Sequence, residues 1–251
     1  MTGAQKKVLR VLCLHGYRQT GTSFREKTGA FRKLLKKRVE FVFMTSPLVV
    51  PPLEGSENED GGSGWWFSRP DDYFRAQDES DCVKGYEESL VAVEAQFQEN
   101  GPFDGILGFS QGAAMLGLIC GLQQQGKLSY SFKFAIFVSA FKSRSLPHQH
   151  LYKEKITIPT LHVFGETDQV IQKPMSEEIL EYFHDPQVLM HPGGHFIPAT
   201  GAQKPAYLKF LENMCEILCE DTLILTYISC ACNEKFNRKL PVQKFLEEGS
   251  K

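Results

Sequence analysis

A serine framed by glycines, Gly108-Phe109-Ser110-Gln111-Gly112, follows the apolar run "FDGIL" and precedes the small residues of "AAMLGLIC". An apolar strand running through a sharp turn into a helix is the setting of a nucleophile elbow, where the serine hydroxyl stands exposed. Glycines at 108 and 112 suit it sterically, because strand and helix can cross closely only where no Cβ intervenes. The competing reading is a glycine-rich turn whose serine caps a helix.

A serine hydroxyl is a poor nucleophile at neutral pH and needs a base, which in turn needs an orienting acid. Of the seven histidines, His148 and His150 fall in a polar stretch, His162 within a strand pattern, and His184 and His191 beside the run 187–191. His195, in the glycine-bracketed "HPGGHFIP", is placed to swing over the end of that strand and is the preferred base. His191, at the strand's end and before a proline, is the rival and reads as structural. For the acid, "TLHVFGETDQVI" supplies Asp168 just past a strand, with Glu166 as the runner-up. A lone turn aspartate is commonplace; the order Ser110, Asp168, His195 on successive strand ends is what gives Asp168 its weight.

Acyl transfer also requires donors for a developing oxyanion. The backbone N–H of Gln111, after the serine and at a helix start, is one, and the N–H of Tyr17 in the loop "LHGYRQTG" is the second. His15 reads as a structural residue holding that loop.

These residues need elements to bring them together. Short Val-, Ile- and Phe-rich runs at 8–16, 39–47, 103–110, 134–141, 160–168 and 187–195 have strand length, and helical spacing recurs at 22–37, 81–98, 111–125, 174–184 and 204–219. In 81–98 the stripe is Val83, Tyr86, Leu90, Val93 and Phe97. Strand and helix in alternation predict an α/β fold: a mostly parallel sheet with helices on both faces and sites at the strands' carboxyl ends.

The long segment 47–80 holds an acidic Gly/Ser patch, 54–64, that reads as disordered, and then Trp65, Trp66 and Phe67, which are costly to leave in water. These aromatics are expected to fold back near the site mouth as a substrate-binding wall, with 48–64 a candidate lid. Residues 1–217 are expected to form one domain and 218–251 an atypical tail; its β-prone run 222–232 reads either as an extra edge strand or as poorly ordered chain.

Composition narrows the function classes. Lys plus Arg number 28 against 30 for Asp plus Glu, which gives no electrostatic case for nucleic acid or an anionic membrane. The basic run "FRKLLKKR" (31–38) interleaves with leucines as the solvated face of an amphipathic helix. Seven scattered cysteines without CxxC spacing fit a reducing compartment, and the start of the chain lacks a signal-peptide pattern, so a cytoplasmic or nucleocytoplasmic location is expected.

Together "VLCLHGYRQTGTSFREKTGAFRKLL", "GWWF", "GILGFSQGAAM", "HVFGETDQVI" and "PGGHFIP" resemble the serine hydrolase FSH family of α/β-hydrolases over about residues 6–215. The resemblance implies Ser110, Asp168 and His195 as the triad of a carboxylesterase favouring fairly long, unbranched acyl or alkyl chains, with no cofactor and no metal. Beyond about residue 218 the family pattern offers no counterpart. A small-molecule ester is then the expected partner. A thioesterase would use the same elbow, although no glycine-rich phosphate loop supports a CoA carrier, and a non-catalytic binding module would keep the fold alone.

Overall fold

A computed structural model describes residues 7–52 and 61–219. Its centre is a six-stranded parallel sheet in the order β2-β1-β5-β6-β7-β8, formed by β1 (Leu9–Leu14), β2 (Val39–Met44), β5 (Gly105–Phe109), β6 (Phe134–Val138), β7 (Thr160–Gly165) and β8 (Gln187–His191). β3 (Leu48–Val49) and β4 (Ser63–Gly64) make a small antiparallel pair of their own. Every residue of β5, β6 and β7 is buried, as expected of strands covered on both faces. β8, at the sheet's edge, is largely exposed until His191.

Alternation along β1 sends Leu12 and Leu14 to one core and Leu9, Val11 and Cys13 to the other. The first core takes α3 (Tyr86–Asn100) and α4 (Gln111–Gln124) together with both tryptophans. The second takes Phe24 of α1 (Gly21–Lys27), Phe31 and Leu35 of α2 (Gly29–Leu35), and Tyr207, Phe210 and Met214 of α6, helical over 204–219. Helices therefore cover both faces. From Gln111 to Gly121 α4 is buried throughout, which explains a helix that is apolar all round.

Two expected helices are interrupted. Residues 22–37 divide at Thr28, whose hydroxyl donates to Phe24 O at 2.8 Å, next to a glycine that favours a break. Residues 174–184 give the short α5 (Lys173–Glu178) and a 3₁₀ turn. Of the acidic patch 54–64, residues 54–60 lie outside the described residues, as does the run 222–232; the rest of the patch is not disordered as expected, since Gly62, Ser63 and Gly64 are buried and Ser63–Gly64 form β4. Among those described, no helix is long and apolar enough to cross a membrane.

Candidate active site

Strand β5 ends by donating Ser110 N–H to Val138 O at 2.9 Å, and α4 begins as Ala113 and Ala114 N–H groups donate to Ser110 O. Between them Ser110 adopts φ 54°, ψ −118°, a conformation that strains a residue bearing a Cβ, and its side chain does not cap the helix. The competing reading of Ser110 as a capping serine therefore has no support in its geometry. A Cβ on Gly108 would come within 2.5 Å of Gly112 O, and one on Gly112 within 2.4 Å of both Leu14 O and His15 O. Both glycines are steric requirements of this crossing.

Asp168 follows β7 and His195 follows β8. His195 Nδ1 donates to Asp168 Oδ2 at 2.8 Å, while Asp168 Oδ1 accepts the N–H groups of Val170 and Ile171, each at 2.9 Å. Burial pushes the Asp168 carboxyl up, yet the hydrogen bond from His195 and the two backbone donors together hold it below its ordinary value. The ionised acid fixes the His195 tautomer with the proton on Nδ1 and leaves Nε2 as an acceptor. The imidazole packs against Phe109, ring centroids 4.8 Å apart, which sets it beside the elbow. Ser110 Oγ forms no hydrogen bond among the described residues.

The rival residues are occupied elsewhere. His191 Nδ1 accepts the Gly193 N–H at 3.2 Å inside the loop that carries His195, and Glu166 is exposed. His15 is wholly buried, with Nδ1 donating to Gly16 O at 2.8 Å and Nε2 accepting Ser46 N–H at 3.0 Å; burial pushes its pKa down to about 4. His148, expected in a polar stretch, is instead buried in a 3₁₀ turn and bonded to Ser143 Oγ at 2.8 Å.

In the loop after β1 the N–H of Gly16 donates to Gln19 Oε1, that of Arg18 to Ser63 O, and that of Gln19 to Gly16 O. Tyr17 N–H has no hydrogen-bond partner among the described residues, and Gln111 N–H at the start of α4 is likewise unengaged.

One expectation needs correction. Trp65, Trp66 and Phe67 do fold back onto the body, but at 0%, 1% and 3% exposure they present no wall to a slot. The reason is a set of polar ties that the sequence did not reveal. Trp65 N–H donates to Gln111 Oε1 at 3.0 Å, Gln111 Nε2 donates to Trp66 O at 2.8 Å, and Ser89 Oγ donates to Trp65 O at 2.6 Å. The aromatics lie beneath the site and support it.

A parallel sheet clad by helices, with a strained turn joining β5 to α4, defines an α/β-hydrolase. The chain belongs to the serine hydrolase (FSH1) family, whose model matches residues 1–207. Among curated relatives, the protein named esterase OVCA2 in Xenopus tropicalis is 50% identical over 217 residues, covering 83% of this chain and 94% of that protein. Its Homo sapiens namesake is 43% identical over 226 residues, covering 85% and 100%. Among solved structures, Zea mays acyl-protein thioesterase 2 aligns with TM-score 0.59 at 18% identity over 84% of this chain and 95% of its own. Esterase PE8 aligns with TM-score 0.57 at 22% identity over 85% and 94%. At these identities the two structures bear on the fold alone.

Proposed function

We propose that this serine hydrolase is a carboxylesterase in which Ser110, Asp168 and His195 are nucleophile, orienting acid and base. The observation that carries the reading is the buried Asp168 carboxylate, saturated by two backbone donors and His195, with that imidazole packed beside a strained, non-capping serine. Ser110 Oγ attacks the ester carbonyl carbon as its proton passes to His195 Nε2, and the N–H groups of Tyr17 and Gln111 hold the oxyanion. The tetrahedral adduct expels the alcohol, which leaves with the proton from His195. Water, deprotonated by the same imidazole, then attacks the acyl-enzyme and releases the acid.

A fluorophosphonate probe is expected to label the wild-type protein and not Ser110→Ala; equal labelling of the two would overturn the assignment. We further propose a preference for medium to long unbranched chains. With the tryptophans buried, its support lies in exposed apolar side chains next to the acid and base, Val170 at 54% and Phe196 at 49%. Each methylene that finds apolar cover contributes about 0.8 kcal/mol, roughly fourfold in kcat/KM. A rising series across linear esters is expected, with matched thioesters run beside them; a flat series refutes the chain preference, and faster turnover of the thioesters refutes the ester preference.

A further inference from the structure

Resting on that oxyanion assignment, we infer that Trp65 is a positioning residue that sets the spacing between the two oxyanion donors. Tyr17 and Gln111 belong to separate loops, and among the described residues no hydrogen bond joins 15–17 directly to 110–112. Trp65 joins them. Its indole Nε1–H donates to His15 O at 2.7 Å, two residues before Tyr17, and its backbone N–H donates to the Gln111 side chain at 3.0 Å. The Gln111 amide closes a second bond onto Trp66 O, so the residue that supplies one oxyanion donor is gripped on both sides by the tryptophan pair.

The assembly is rigid and dry. Trp65, Gln111 and His15 are all 0% exposed, and Ser89 Oγ anchors Trp65 O to α3. The His15 ring, 5.2 Å from the Trp65 ring, is itself held at both nitrogens. Buried hydrogen bonds of this kind resist rearrangement because a released donor finds no water to replace its partner. The β1–β5 ladder ends at Leu14 and Gly108, and past it the crossing at Gly112, where a Cβ would meet His15 O at 2.4 Å, leaves van der Waals contact alone, so Trp65 supplies the polar tie beyond the end of the ladder. A preorganised oxyanion site depends on that gap being set before the reaction begins.

The neighbouring tryptophan provides a matched control. Trp66 is equally buried, at 1%, but its Nε1 has no hydrogen-bond partner among the described residues. Trp65→Phe removes the indole donor and Trp66→Phe removes only ring volume. Trp65→Phe is expected to lower kcat by about 10- to 100-fold with KM within about twofold, a fraction of what losing a whole donor does. Its affinity for an alkyl trifluoromethyl ketone, whose hemiketal oxyanion occupies the same hole, should fall in parallel. Trp66→Phe, which keeps the carbonyl that accepts from Gln111 Nε2, should lower kcat less than Trp65→Phe does, and the exposed Val91→Ala on α3 should leave both parameters within about twofold. Equal losses in the two variants, or a Trp65→Phe effect on KM alone, would overturn the inference. Should Trp65→Phe not fold, Ser89→Ala, which removes the bond anchoring Trp65 O to α3 and adds no charge, carries the same expectation of a kcat loss without a KM change. Wild-type protein that shows no Ser110-dependent probe labelling would defeat the underlying mechanism; labelled wild type with indistinguishable Phe variants would defeat only the role of Trp65.

Discussion

Asp168→Asn is expected to lower kcat for ester hydrolysis by about four orders of magnitude while leaving the fold intact. The direction follows from who donates to whom. Oδ1 receives two backbone N–H groups, from Val170 and Ile171, so an asparagine must put its carbonyl oxygen there. Its NH₂ then faces His195 Nδ1, where Oδ2 had accepted. The imidazole must turn that nitrogen into an acceptor and carry its proton on Nε2, leaving nothing to take the proton of Ser110. Steady-state kinetics with a linear ester, beside Glu166→Gln as the exposed acidic control, checks this. Retention of activity within tenfold in Asp168→Asn would remove Asp168 from the mechanism.

The second large effect concerns acid stability. Burial pushes His15 and His148 down to about 4 and His162 to about 3, against an unfolded value near 6.5. His162 is the starkest of the three, stacked on Phe137 at 4.5 Å with neither ring nitrogen bonded among the described residues. Between pH 6.5 and 4 the unfolded chain binds protons that the native state refuses, so stability rises with pH across that window and is lost as pH falls through it. Three such groups give a limiting slope of about 4 kcal/mol per pH unit. A native state worth about 5–15 kcal/mol is exhausted within a few units of that slope. The urea midpoint is therefore expected to drop steeply below pH 6, and His162→Phe should shallow the drop. A midpoint that stays level from pH 6.5 to 4.5 would show that the histidines are not buried in their neutral form.

What was legible in the sequence is what local pattern decides. Unbroken apolar runs such as "FAIFV" belong to central strands of a parallel sheet and read as such. The elbow was legible because its glycines answer a steric demand made within five residues, and the meeting of Asp168 with His195 because each follows one of two neighbouring strands. What escaped depends on partners far along the chain. The burial of Trp65 and Trp66 is decided by the Gln111 amide and the His15 carbonyl, which nothing in "GWWF" announces. His148 sits among Pro147, Gln149 and His150, a polar neighbourhood in sequence, but His148 and Leu151 share the inward side of one 3₁₀ turn. The break at Thr28 turns on one hydroxyl choosing a backbone carbonyl four residues earlier.

The left-handed backbone at Ser110, φ 54°, carries a consequence of another kind. For any residue with a side chain that conformation costs about 1–3 kcal/mol, which glycine escapes. Under the proposed mechanism a chain with glycine at 110 would fold more securely and hydrolyse nothing. Folding and turnover thus press on position 110 in opposite directions, and a laboratory lineage selected for heat resistance alone would be drawn toward a sturdier, silent protein.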